Sequence, residues 1–304
     1  MDWLFLLGGL IGLFAGGEAL VRGAVGIARR LAIPPLLIGL TVVGFGTSMP
    51  ELLVSVDAAL RGVPDLAVGN IVGSNIGNVL LIVGLAALVW PIRVTGATLG
   101  RDTAVMMAAT LALVPLFWMA EVGRPAGALL LAALAGYLVW AYRHPGAVAV
   151  EDAAPVPPLW RSGLWVALGL VALMVGARFL VDGAVNLARG HGISEAFIGL
   201  TVVAVGTSLP ELATSLIAAL RRQSEIAIGN IVGSNIFNLL GILGATALIA
   251  PIPVAGRFLS FDLPVLIAAS GVLTGLLLLR PGIGRGAGLG LLVAYGAYVW
   301  AAQG

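Results

Sequence analysis

A fifteen-residue phrase stands twice inside an otherwise apolar chain, at a constant offset of 160 residues. Residues 38–52 read IGLTVVGFGTSMPEL and residues 198–212 read IGLTVVAVGTSLPEL. A second phrase follows each, GNIVGSNIGN at 69–78 and GNIVGSNIFN at 229–238. The offset runs without a gap from Leu20/Leu180 through Pro91/Pro251 to Trp140/Trp300. The chain is a duplicated unit, and each copy carries a carboxylate, Glu51 or Glu211, within apolar sequence. A charge at membrane depth is costly and marks a functional site by default. Two related ones point to a site shared between the halves.

Composition settles the class. The chain is 60% hydrophobic and 10% charged, with a mean hydropathy of +1.09, far from soluble domains. Apolar runs of membrane-crossing length recur throughout, without the alternation of an outer-membrane barrel. The fold class expected is therefore an all-α integral membrane protein in the lipid bilayer. With no cysteine there is no disulfide framework and no thiolate metal site. The two histidines, His144 and His191, fall in predicted loops and form no cluster. The first residues, MDWLFLLGGLIGLF, lack a basic leader and are expected to be a retained helix.

Five spans are predicted in each copy: 3–27, 35–60, 66–90, 103–120 and 126–143, then 163–188, 195–219, 225–250, 262–279 and 285–302. An odd number makes the second copy enter the membrane from the opposite side. The expected architecture is ten transmembrane helices as two inverted repeats, 1–143 and 163–304, with an ion site at their interface. The connection 144–162 reads as a linker. Orientation follows from arginine, because the chain has no lysine. Loops on one face carry ten arginines, among them Arg29, Arg30, Arg221 and Arg222; the other face carries four, Arg61, Arg124, Arg189 and Arg257. The ten-arginine face is predicted to be cytoplasmic, which puts the linker inside and both termini outside a prokaryotic plasma membrane. Six tryptophans, Trp3, Trp90, Trp118, Trp140, Trp160 and Trp300, lie at or near predicted span ends, as an interfacial belt requires. The basic balance follows from this topology and does not indicate nucleic-acid binding.

Pro50 cannot donate a backbone hydrogen bond, and its ring presses on the carbonyl of Gly46. The helix is expected to kink or unwind there, freeing carbonyls that a cation accepts and lipid does not. Thr47, Ser48 and Glu51 add two hydroxyls and a carboxylate, with Thr47 and Glu51 at i, i+4. The second copy repeats this with Thr207, Ser208, Pro210 and Glu211. Proline and glycine alone could serve only to bend a packed helix, but no Lys or Arg lies inside the second, third, seventh or eighth span to neutralise the glutamates. A cation or protons must. In the second phrase, Gly69, Gly73 and Gly77 form a small-residue ridge for helix packing. Ser74 and Asn78 stand at i, i+4, as do Ser234 and Asn238, while Phe237 replaces Gly77. These, with Asn70 and Asn75, are not explained by a glycine ridge and present polar groups to a cation or to a neighbouring helix. Ligands made only of oxygen select hard cations, and two carboxylates match the charge of one Ca²⁺.

GTSMPEL with GNIVGSNIGN, and GTSLPEL with GNIVGSNIFN, resemble the two α-repeats of the cation/calcium exchanger superfamily, in its sodium/calcium branch. The resemblance covers essentially the whole chain. It implies a ten-helix inverted-repeat fold that exchanges several Na⁺ for one Ca²⁺, with the first and sixth helices sliding across a central site. By motif position it nominates Thr47, Ser48, Glu51, Thr207, Ser208 and Glu211, then Ser74, Asn78, Ser234 and Asn238. It adds backbone carbonyls from Gly44 and Ala204. Some prokaryotic members have Asp where this chain has Asn238, which removes a possible third carboxylate. No cofactor beyond the transported Ca²⁺ and Na⁺, and no obligate protein partner, is implied.

H⁺/Ca²⁺ antiport on the same fold is the alternative, with both glutamates protonating as calcium leaves. A passive channel fits less well, since a deep carboxylate pair would trap a divalent ion. No phosphate-binding loop or nucleophile–base pair supports an enzyme. Glu18/Arg22 and Arg178/Asp182 align at the same offset with reversed polarity, and read as surface ion pairs near span ends, with a gating role as the alternative. Asp57, aligned with Ile217, reads as a solvated span end, the alternative being an ion-entry vestibule or an accessory cation site.

Overall fold

The apolar runs become helices in a computed structural model that describes residues 2–93, 97–146, 157–190, 204–279 and 282–302. The first half comprises α1 (Asp2–Leu31), α2 (Pro35–Thr47), α3 (Met49–Leu60), α4 (Pro64–Val89), α5 (Ala97–Trp118) and α6 (Arg124–Arg143). The second comprises α7 (Leu159–Gly190), α8 (Leu209–Leu220), α9 (Ser224–Ile249), α10 (Phe258–Leu279) and α11 (Arg285–Ala302). Among the described residues seven helices are long and apolar enough to cross a membrane, or eight if α2 and α3 are one broken span. α11, diluted by Arg285, four glycines and two tyrosines, is not among them. The predicted span 195–219 lies partly outside the described residues, which show Ala204–Gly206 and α8. His191, Arg280 and linker residues 147–156 also lie outside them.

Two predicted boundaries move. The span placed at 103–120 begins at Ala97, because the charges in its first turns are neutralised in place. Arg101 Nε donates to Asp102 Oδ1 at 2.6 Å, and Tyr137 of α6 donates to the same oxygen at 3.2 Å. The equivalent acid, Asp262, receives Tyr298 of α11 at 2.9 Å and faces Arg257 at 3.5 Å. Each buried aspartate thus ties the fourth helix of its half to the fifth. The linker is shorter than predicted, since Leu159, Trp160, Arg161 and Ser162 already belong to α7. Several of the ten arginines counted as loop residues, including Arg29, Arg101 and Arg161, sit on terminal helical turns.

Helices α1 and α7 lie in backbone contact. A Cβ on Gly9 would fall 2.6 Å from Leu180 N, and one on Gly169 would fall 2.6 Å from Leu20 N. Gly16 and Leu173 repeat the contact at 2.7 Å, as do Gly176 and Leu13. These pairs exchange under the 160-residue offset, so the two helices run antiparallel about a local two-fold relation. Only small residues permit such an approach. The duplicated phrases occupy the interior: α9 is buried along most of its length, up to the exposed Leu248 and Ile249 at its end, and α4 is largely buried too. Gly229 and Gly233 of α9 press on the backbone of α2, but the ridge predicted at Gly69, Gly73 and Gly77 does not pack this way: a Cβ on Gly69 meets only the Phe258 ring at 3.8 Å, and no described atom lies within 4 Å of one on Gly73 or Gly77. On the periphery Trp3, Trp118, Trp160 and Trp300 are exposed, as an interfacial belt would be.

Short backbone pairings close both ends. Strand β1 (Glu121–Val122) pairs antiparallel with β2 (Ile252–Pro253), and Ile92 bridges Ile283. Each links the loop after the third span of one half to the loop before the fifth span of the other. Val122, Ile252, Ile92 and Ile283 are all buried.

Candidate cation-binding site

The site is built from two helix breaks facing two widened helices. Between α2 and α3 the axis turns by 44° at Ser48, where φ −84° and ψ 8° leave the helical region. Pro50 sits in the first turn of α3, where its missing N–H costs nothing. Ser208, with φ −88° and ψ 8°, and Pro210 repeat the arrangement at the start of α8. In α4 a π-helical turn opens at Asn78 (Asn78–Ile82), and in α9 one opens at Phe237 (Phe237–Ile242), beside Asn238. Inserted turns of this kind cluster at functional sites.

The breaks are cross-wired. Ser48 Oγ donates to Glu211 Oε1 at 2.8 Å, and Ser208 Oγ donates to Glu51 Oε1 at 3.0 Å. Each serine of one half therefore holds the carboxylate of the other. Thr47 Oγ1 donates to Asn230 Oδ1 at 3.0 Å, and Thr207 Oγ1 to Asn70 Oδ1 at 3.3 Å. Asn70 Nδ2 in turn bonds Glu51 O at 3.0 Å and Ser55 Oγ at 2.9 Å. Asn230 Nδ2 bonds Glu211 O at 3.3 Å and Ser215 Oγ at 3.0 Å. All these pairs map onto one another at the 160-residue offset. Asn70, Asn230, Ser55 and Ser215 were not among the nominated residues. The offset carried their signal, since both positions are identical in the two copies.

Second-phrase residues join the network unequally. Ser208 Oγ also lies 3.3 Å from Ser74 Oγ, whereas Ser234 Oγ donates to Gly44 O at 3.2 Å. Asn78 Nδ2 donates to Asn235 Oδ1 at 3.0 Å. Asn238 makes no such bond among the described residues. Ala204 opens a short helix, and its side chain lies outside the described residues.

Four buried oxygens, Glu51 Oε2, Glu211 Oε2, Asn78 Oδ1 and Asn238 Oδ1, have no hydrogen-bond partner among the described residues. Leaving a buried acceptor unmade costs about 1–3 kcal/mol, and more when it is charged. A hard cation satisfies such atoms. Among the described residues no three His, Cys, Asp or Glu side chains cluster, so any cation here would rest on two carboxylates with hydroxyl and amide oxygens.

The site is not equally open on its two sides. Thr47 and Ser48 are fully buried, but Thr207 and Ser208 are only partly so. A cleft lined by Gly77, Val205, Leu212 and Tyr295 reaches Ser74 and Ser208. The positions equivalent to Gly77 and Val205 are Phe237 and Phe45, whose rings meet edge-on at 4.6 Å between centroids. The exchange of glycine for phenylalanine at 237 thus blocks one approach and leaves the other open.

The unassigned charges are also placed. Asp57 is exposed and bridged to Arg61 at 2.8 Å, as a solvated span end would be. Arg178 and Asp182 are an exposed pair at 3.8 Å, but they lie well inside α7 and not near a span end as expected. Glu18 departs from expectation. It lies mid-way along α1, not near an end, and besides Arg22 it accepts Arg221 Nε at 2.8 Å across 203 residues.

The sequence profile described as sodium/calcium exchanger protein matches residues 1–143 and 161–303. The chain belongs to that family. It is 37% identical over 312 residues to the inner membrane protein YrbG of Escherichia coli, covering 98% of this chain and 95% of that one. It is 32% identical over 343 residues to the sodium/calcium exchanger MaX1 of Methanosarcina acetivorans, covering 98% and 97%. A solved structure of the sodium-calcium exchanger NCX_Mj superposes with a TM-score of 0.87 at 32% identity, covering 98% and 97%. Membership makes this chain a membrane transport protein of the antiport class.

Proposed function

We propose that the chain is a secondary antiporter that exchanges Na⁺ for Ca²⁺ by alternating access and extrudes calcium from a prokaryotic cytoplasm. In this reading ten spans form two inverted halves, 1–143 and 163–304, joined by a cytoplasmic linker, with both termini outside. Calcium is bound between Glu51 and Glu211, with Asn78, Asn238, the four hydroxyls of Thr47, Ser48, Thr207 and Ser208, Ser74, Ser234 and the carbonyls at Gly44 and Ala204 as the oxygen supply.

The observation that carries the reading is the reciprocal pair Ser48–Glu211 and Ser208–Glu51 beside four unpartnered buried oxygens. The two carboxylates supply the charge that offsets calcium dehydration. Sodium needs a near-complete oxygen shell, which the hydroxyls and amide oxygens furnish, while a proton would need only the carboxylates. Both ions compete for shared ligands, so loading one expels the other. Exchange of more than two Na⁺ for one Ca²⁺ moves net charge, worth about 2.3 kcal/mol per charge per 100 mV.

The test is calcium flux in proteoliposomes under imposed gradients. Efflux driven by inward Na⁺, persisting with a protonophore and responding to membrane potential, is the expected result. Calcium movement that ignores Na⁺ and follows an imposed pH gradient would instead establish H⁺/Ca²⁺ antiport.

A further inference from the structure

We propose that the Glu18–Arg221 ion pair is a latch that holds the present conformation, and that Arg178, Asp182, Asp57 and Arg61 form its counterpart in the oppositely open one. This rests on the alternating-access reading above. The 160-residue relation maps Glu18 to Arg178, Arg22 to Asp182, Arg221 to Arg61 and Ile217 to Asp57.

In the present conformation α1 packs along α8, while α7 has almost no contact with α3 among the described residues. A Cβ on Gly17 would lie 3.0 Å from Ile217 Cγ1, and one turn further on Arg221, which caps the end of α8, grips Glu18. Glu18 is 19% exposed between two arginines. The related residues are each 53% exposed or more and, among the described residues, pair only with the partner four positions along the same segment. The same asymmetry runs through the site, closed at Phe45–Phe237 and open at Val205–Gly77. A two-fold chain held in one asymmetric state reaches the opposite state by exchanging the conformations of its halves.

That exchange seats α7 on α3 as α1 now sits on α8. Ala177 then faces Asp57 where Gly17 faces Ile217, and Arg178 comes to Arg61 where Glu18 comes to Arg221. Two arginines would repel. The acid at 57, where the other copy has isoleucine, removes the conflict: Arg178 pairs with Asp57, and Asp182 with Arg61. The polarity reversal on α7 and the uncompensated aspartate on α3 are thus one device.

The native chain lacks cysteine, so Val205→Cys in the cleft gives a single reporter whose alkylation by a water-soluble maleimide tracks the present conformation. Glu18→Gln and Arg221→Gln should each slow alkylation by about threefold, the size expected of a partly exposed pair. The double variant should be no slower than either single one, and Arg221→Lys should keep the parent rate. Adding Asp57→Asn to Glu18→Gln should restore the rate, because Arg178 then meets Arg61 without the acid that removes their conflict, and the counterpart is weakened as well. Unchanged rates in both single variants, additive losses in the double one, or no restoration by Asp57→Asn would each overturn the latch. Failure of the antiport reading is separate, showing in the parent as absent flux and alkylation indifferent to Na⁺ and Ca²⁺.

Discussion

Ser48 Oγ donates to Glu211 Oε1 at 2.8 Å, so the helix break of the first half holds the carboxylate of the second. Ser208 returns the bond to Glu51 at 3.0 Å. Neither half can form this site alone, and motion of one half against the other must rework both bonds. Coupling between ion occupancy and conformation follows from that cross-wiring without any further element.

The carboxylates should be indispensable. Glu211→Gln keeps the shape and the contact with Ser48 but removes the charge. Hydrogen bonds to charged groups are worth about 1.5–3 kcal/mol, so calcium exchange should fall by roughly tenfold to a hundredfold. Glu51→Gln should match it. Monodisperse variants that exchange calcium at the parent rate would dismiss both groups from the site.

Asn230 should matter to stability as well as flux. Its amide holds Glu211 O and Ser215 Oγ while its oxygen takes Thr47. Asn230→Ala strands those buried groups, at a cost of about 1–3 kcal/mol. Thermal unfolding in detergent should show a lowered midpoint, and Asn70→Ala the same. Asn230→Asp cannot donate to the Glu211 carbonyl and should not rescue.

Much of this site is legible in the sequence. The repeat exposed Glu51 and Glu211, and proline chemistry located both breaks to within a residue or two. The bracing residues were hidden by their ordinariness, since Ser55 and Ser215 are types that any helix tolerates. Glu18–Arg221 was illegible for another reason: nothing local records a contact spanning 203 residues. The aspartate clamps escaped because Arg101 and Arg257 occupy different places relative to Asp102 and Asp262, so alignment of the copies does not pair them.

The α1–α7 contact should tolerate no side chain. A Cβ on Gly169 would stand 2.6 Å from a backbone nitrogen, which cannot rotate away as a side chain could. Gly169→Ala should therefore cost about 1–3 kcal/mol, the range for overpacking a close contact. Gly163→Ala, with nothing within 4 Å among the described residues, is the control. Equal unfolding midpoints for the two variants would refute the backbone contact.

The most specific expectation concerns Gly77 and Phe237, related by the repeat yet opposite in size. Phe237 meets Phe45 at 4.6 Å and seals one approach, while Gly77 and Val205 leave the cleft to Ser74 and Ser208. No described atom lies within 4 Å of a Cβ placed on Gly77, so Gly77→Phe should fold and fill the cleft with a ring. With both approaches blocked, exchange should drop at least about tenfold, equivalent to about 1.4 kcal/mol, while unfolding stays cooperative. Phe237→Gly acts in the opposite sense. It removes an aromatic contact worth about 0.5–1.5 kcal/mol and opens the sealed side while the cleft stays open. Radiolabelled calcium should then leak across proteoliposomes without a sodium gradient. A Gly77→Phe protein that exchanges normally would show that ions do not enter through the cleft. A Phe237→Gly protein that stays strictly sodium-dependent would show that the ring pair is packing and not a seal.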